Sequence, residues 1–140
     1  MLDVRARKKQ YYQDNKEKLK AKALAHSRVT QLDRPGHFWF NTLKARARKK
    51  GLDFDLTEEF LTELLSAKVC SVTGIQLEAP GHDRSRANRS PWSASVDRKD
   101  SSLGYLRDNV RVVCMMYNLA RSDWEDADVL RMAEALRHDG

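Results

Sequence analysis

Two oxygen-bearing side chains, Asp97 and Asn118, set the chemical question in this sequence. Asp97 ends a short β-prone run, S-A-S-V-D, and Asn118 follows the β-branched run of Val110, Val112 and Val113 in a stretch that favours helix. Between them lie a polar turn with Ser101, Ser102 and Gly104, and then Asn109. This order predicts strand, loop, strand, helix, with one oxygen donor at each end of the unit. A hairpin packed on the helix that follows it would bring the two donors together. One carboxylate and one carboxamide, completed by waters, suit Mg²⁺, which keeps several waters and takes few protein ligands.

The pattern S-x-D-R-x-D-S-S-x-G-Y-x-x-x-N-V-R-V-V-C-x-x-x-N-x-A-R, residues 95–121, resembles the HNH (ββα-metal) nucleases. Within them it is similar to a branch common in phages and prophages, in which D-R replaces the usual D-H or H-H pair. The likeness extends upstream to R-A-R-K-K-G-L-D-F-D-L-T at residues 46–57 and C-S-V-T-G-I-Q-L at residues 70–77, so it spans roughly residues 43–123. It implies an α+β fold, mostly helical with a small ββα-metal motif. It also implies a metal-dependent endonuclease or nickase that hydrolyses phosphodiester bonds in DNA. Asp97 and Asn118 would then be the metal ligands, for Mg²⁺ first and Mn²⁺ as its substitute. Asn109 would hold the intervening loop in shape through hydrogen bonds to its backbone.

Arg98 stands where standard members carry the general-base histidine. A guanidinium cannot accept a proton at physiological pH. Its expected role is therefore to hold the scissile phosphate or to stabilise charge building on it. The plain alternative is an ion pair with Asp100 or Asp108. The base then falls to His82, to Tyr105, or to water on the metal. Two other functions fit the same resemblance: a non-catalytic DNA-binding or packaging accessory on a degenerate HNH fold, and an endonuclease resolving branched DNA junctions, which would be a homodimer. RNA has no motif of its own here.

Charge points to the same class of partner. Residues 1–50 carry 15 Lys and Arg against 4 Asp and Glu, whereas the remainder carries 11 against 16. A basic half joined to a mildly acidic half fits a polyanion such as double-stranded or branched DNA. The candidate phosphate contacts are Lys8 and Lys9, then Lys44, Arg46, Arg48, Lys49 and Lys50, and Arg84 and Arg86 in the polar loop that holds His82. No apolar run approaches membrane-spanning length and the start lacks a signal-peptide stretch. A cytoplasmic protein without a membrane partner is expected (in the host's cytoplasm if phage-encoded). The two cysteines, Cys70 and Cys114, have Thr73 and Tyr117 where zinc knuckles would place a second thiolate. A structural zinc is thus not expected, and both thiols read as small buried hydrophobes.

The positioning elements follow from local signals. With 140 residues the chain has the length of one domain, divided into a basic helical arm at 1–34 and a nuclease domain with flanking helices at 35–140. Asp33-Arg34-Pro35-Gly36 breaks the first helix. A second runs from His37 to Lys50, with Phe40, Leu43 and Ala47 inward beside Trp39, and closes at Gly51. Thr57 caps a third, whose Phe60, Leu61, Leu64 and Leu65 are apolar. Thr73-Gly74 turns a hairpin. Ser122 or Asp123 is expected to cap a final helix closing the core with Val129, Leu130, Ala133 and Leu136.

Overall fold

Lys, Arg, Ala, Glu and Gln, uninterrupted by Pro or Gly, build α1, Val4–Asp33, a helix of 30 residues with none buried. The computed structural model describes residues 3–79 and 89–138. Arg34 leaves helical geometry at φ −136° and Pro35 opens α2, Pro35–Lys50, since a proline lacks only an N–H that the first turn does not use. Gly51 ends α2 in the left-handed region at φ 64°. The buried stripe of α2 is Gly36, Trp39, Leu43 and Ala47. Phe40, expected inward, is half-buried and meets Phe54 edge-on at 5.6 Å.

Thr57 caps α3, Glu58–Ser66, by accepting a hydrogen bond from the Phe60 amide at 3.2 Å. Leu61 is the buried residue of α3, with Phe60, Leu64 and Leu65 half-buried beside it. A Cβ on Gly36 would stand 2.0 Å from Thr62 Oγ1 and 2.9 Å from its amide nitrogen, so this glycine lets α2 and α3 approach. Glu58 accepts a hydrogen bond from Arg34 and pairs with His37, each at 2.9 Å. The bond from His37, helped by Arg34, holds the Glu58 carboxyl below its ordinary range. His37 therefore serves the start of α2.

Residues 69–76 form a tight turn, with Gly74 at φ 74°, the Cys70 amide bonded to the Ile75 carbonyl and Val69 bridged to Gln76. Its Ser71 amide donates to the carbonyl of Val112. The sheet is an antiparallel pair, β1 (Ala94–Arg98) and β2 (Val110–Cys114), with Val96 opposite Val112 and Asp97 opposite Arg111. Alternation puts Ser95 and Asp97 of β1 on one face with Arg111 and Val113 of β2. On that face lies α4, Met115–Arg121, followed by α5, Asp126–His138. One core joins Trp39, Leu43, Leu56 and Leu61 to Val96, Tyr105 and Val110. A second joins Cys70, Val113, Cys114 and Tyr117, with Leu77, Trp92 and Val129 against it.

The C-terminal helix departs from its sequence expectation. It starts at Asp126, because Ser122 ends α4 at φ 47° and the chain needs a further turn to redirect. Val129 packs on the second core, but Leu130 is 59% exposed and Leu136 71%, and Ala133 is exposed too. The reason is that α5 rests on the seven-residue α4, which is too short to cover an apolar face of 13 residues. Among the described residues no helix is long and apolar enough to cross a membrane.

Candidate functional site

Asp97 is 5% exposed, on the sheet face that meets α4. Strand register sets Arg111 opposite it, and Arg111 Nε donates to Asp97 Oδ2 at 2.9 Å. From α4, Arg121 Nη1 donates to Asp97 Oδ1 at 3.1 Å and to the Arg98 carbonyl at 2.9 Å. Arg121 Nη2 donates to the Lys99 carbonyl, and its Nε stands 3.1 Å from Asp126 Oδ1 as an ion pair. Arg111 continues the network, its two terminal nitrogens donating to both oxygens of Asp126 at 2.8 and 2.7 Å. Tyr117 also donates to Asp126. Hydrogen bonding from Arg111 holds the Asp126 carboxyl far below the usual carboxylate range. Burial, reinforced by the bond to Asp126, pushes the Tyr117 phenol up to about 12.

Asn118 lies one helical turn before Arg121 on α4, so the two side chains share the face turned to β1. Asn118 Nδ2 donates to Ser95 Oγ at 2.7 Å, while Ser95 sits two positions before Asp97 on that same strand face. Asn109 organises the loop between the strands. Its Oδ1 accepts from the Asp100 amide at 3.0 Å, and its Nδ2 donates to the carbonyls of Asp100 and Gly104 at 3.0 and 2.9 Å. Gly104 passes so close to the preceding segment that a Cβ would stand 2.2 Å from the Asp53 carbonyl oxygen. Arg98 is held by that loop: Nη1 donates to the carbonyls of Ser101 and Leu103 at 2.9 and 2.8 Å, and the guanidinium lies 5.1 Å from the Tyr105 ring centre. It therefore pairs with backbone carbonyls, not with Asp100 or Asp108.

Asp97, Arg98, Tyr105, Asn118 and Arg121 line one polar cleft of about 180 Å³, together with Arg46, Ser101 and Asp123. Two oxygens of the cleft keep room for a divalent cation, although Arg111 and Arg121 already pair with the Asp97 carboxylate. Asp97 Oδ1 accepts one bond at 3.1 Å and a carboxylate oxygen offers two lone pairs. Asn118 Oδ1 accepts no hydrogen bond from the described residues. No group of three or more His, Cys, Asp and Glu able to hold a metal occurs among the described residues. A cation here would keep most of its water.

The other sequence candidates fall in three places. Arg46 reaches the cleft from α2. Lys44, Arg48, Lys49 and Lys50 are exposed on that helix, with Lys44 Nζ 5.3 Å from the Phe40 ring centre, and Lys8 and Lys9 are exposed on α1. His82, Arg84 and Arg86 lie outside the described residues. Sequence reasoning missed Arg111, Arg121 and Ser95. The residue pattern contains all three, but their meeting with Asp97 and Asn118 depends on strand register and on the seating of α4.

No known protein-family model matches the chain. An uncharacterized 29.0 kDa protein from the dda-modA intergenic region of Enterobacteria phage T4 is 31% identical over 81 residues. That stretch is 58% of this chain and 29% of the phage protein, so the chain spans under a third of that relative. The structure is similar to that of the rare-cutting HNH restriction endonuclease PacI, with a TM-score of 0.54 and 22% identity over 72% of this chain and 75% of that one. The likeness establishes an HNH-like α+β fold.

Proposed function

We propose that this chain is a divalent-metal-dependent endonuclease or nickase that hydrolyses phosphodiester bonds in DNA. The observation that carries this reading is the shared cleft of Asp97 and Asn118, beside Arg98 and Arg46. It is supported by the fold likeness to an HNH restriction endonuclease. Asp97 and Asn118 would hold the cation, Mg²⁺ or Mn²⁺. When bound, such an ion supplies charge neutralisation at the phosphodiester and stabilises the leaving oxygen. Arg98, fixed by two carbonyls and the Tyr105 ring, presents its remaining N–H edge without reorganising, which favours charge developed in the transition state. Arg121 and Arg111 keep the Asp97 carboxylate in place. Tyr105, in the cleft, and His82 are the candidates for activating water.

The test is plasmid nicking and single-turnover cleavage in Mg²⁺ and Mn²⁺. The Asn118→Ala variant is expected to lose at least about 100-fold in rate, the scale of one removed transition-state interaction, with duplex binding nearly unchanged. Failure of the wild type to cut in any divalent metal would sink the enzymatic reading. One observation favours a second reading, a DNA-binding accessory on an inactive nuclease fold: two guanidiniums already engage Asp97, and their charge opposes a cation. Salt-sensitive duplex binding without metal-dependent nicking would establish that alternative.

A further inference from the structure

Three guanidiniums line the cleft and a fourth, Arg111, binds its Asp97, and the protein has engaged them to different degrees. Arg111 has all three nitrogens on Asp97 and Asp126. Arg121 has its terminal nitrogens on Asp97 and two carbonyls, with its third nitrogen beside Asp126. Arg98 has Nη1 on two carbonyls and one face towards Tyr105. Arg46 also lines the cleft, yet it is exposed and makes no hydrogen bond or ion pair with the described residues. It is also the cleft residue contributed from outside residues 96–123. Its backbone is nevertheless held, because Leu43 and Ala47 on either side of it are buried in the first core.

We infer that Arg46 is a catalytic residue: its guanidinium binds the scissile phosphate opposite Arg98, so that α2 completes the site built by the strands and α4. This rests on the nuclease reading above and deepens it. A planar guanidinium suits two phosphate oxygens at once, whereas a lysine offers a point charge. Arg48 is the internal control. It lies two residues on, about 200° around the helix, exposed and away from the cleft lining.

The experiment compares wild type, Arg46→Ala, Arg46→Lys and Arg48→Ala in two measurements: single-turnover cleavage at saturating protein in Mg²⁺, and duplex affinity in EDTA. Arg46→Ala is expected to slow cleavage about 100-fold and to weaken affinity only about as much as Arg48→Ala, since each variant leaves one phosphate without its cation. Arg46→Lys should recover part of the rate, and added guanidinium ion should stimulate Arg46→Ala but not Arg48→Ala. Wild-type rates in Arg46→Ala, or equal slowing in Arg46→Ala and Arg48→Ala, would overturn the assignment while leaving the nuclease reading intact. A wild type that never cuts would instead remove the nuclease reading, and this assignment with it.

Discussion

The arginines around Asp97 change what its mutation can report. Truncating Asp97 removes a candidate metal ligand, but it also takes one carboxylate from Arg121, 3% exposed, and from Arg111, leaving Asp126 as the acid paired with both. Breaking a buried pair from one side costs about 3–5 kcal/mol. Asp97→Ala is therefore expected to lower the denaturant midpoint sharply, and loss of cleavage in it says little about chemistry. Asn118→Ala forfeits one hydrogen bond, to Ser95, worth about 1 kcal/mol. A chemical denaturation series on the two variants checks this difference. Comparable small losses in both would mean that Arg111 and Arg121 find other partners or water when the carboxylate is gone.

Between elements, Asp126 ties α5 to the body through Arg111, Arg121 and Tyr117, whereas its apolar residues contribute little. That attachment carries a pH signature. Tyr117 has its folded pKa raised from 10.0 to about 12, so its contribution is complete below pH 10 and is lost as pH climbs towards 12. The loss is on the order of 3 kcal/mol, since each pKa unit corresponds to ~1.4 kcal/mol. Wild type should thus lose stability more steeply than Tyr117→Phe across that window in urea titrations, and identical slopes would refute the coupling. At this scale the sequence was most readable where a signal is local. Thr57 as a cap and Gly51 as a terminator each act within a few residues and appear where expected, while the break expected over residues 33–36 narrows to Arg34, with α2 starting at Pro35 and not at His37. The apolar period of α5 was equally plain, but periodicity reveals which face is apolar and not whether the same chain covers it. Arg111 and Arg121 escaped notice for a related reason, because like-charged residues next to a carboxylate acquire meaning only after register pairs them.

At the level of the whole molecule, the charge division of the sequence becomes spatial. Fifteen of the 26 Lys and Arg fall within residues 1–50, all on α1 and α2 except Arg34 between them, and α2 is the helix that lends Arg46 to the cleft. We propose that residues 1–34 act as a DNA-binding arm, with Lys8 and Lys9 among the side chains that meet phosphates. Lys8→Glu with Lys9→Glu should weaken duplex binding and flatten its dependence on salt, by a slope of about 0.9 for each phosphate no longer neutralised. An unchanged salt slope would assign those lysines to solvent.

The length of α1 also has a consequence for the outline the protein leaves on its target. Thirty helical residues extend about 45 Å at ~1.5 Å each, and duplex nucleotides advance ~3.4 Å along the axis. Laid parallel to the duplex axis, the helix would act as a ruler about thirteen base pairs long. Radical cleavage should then find the sugars shielded well past one side of the nick and bare close to it on the other.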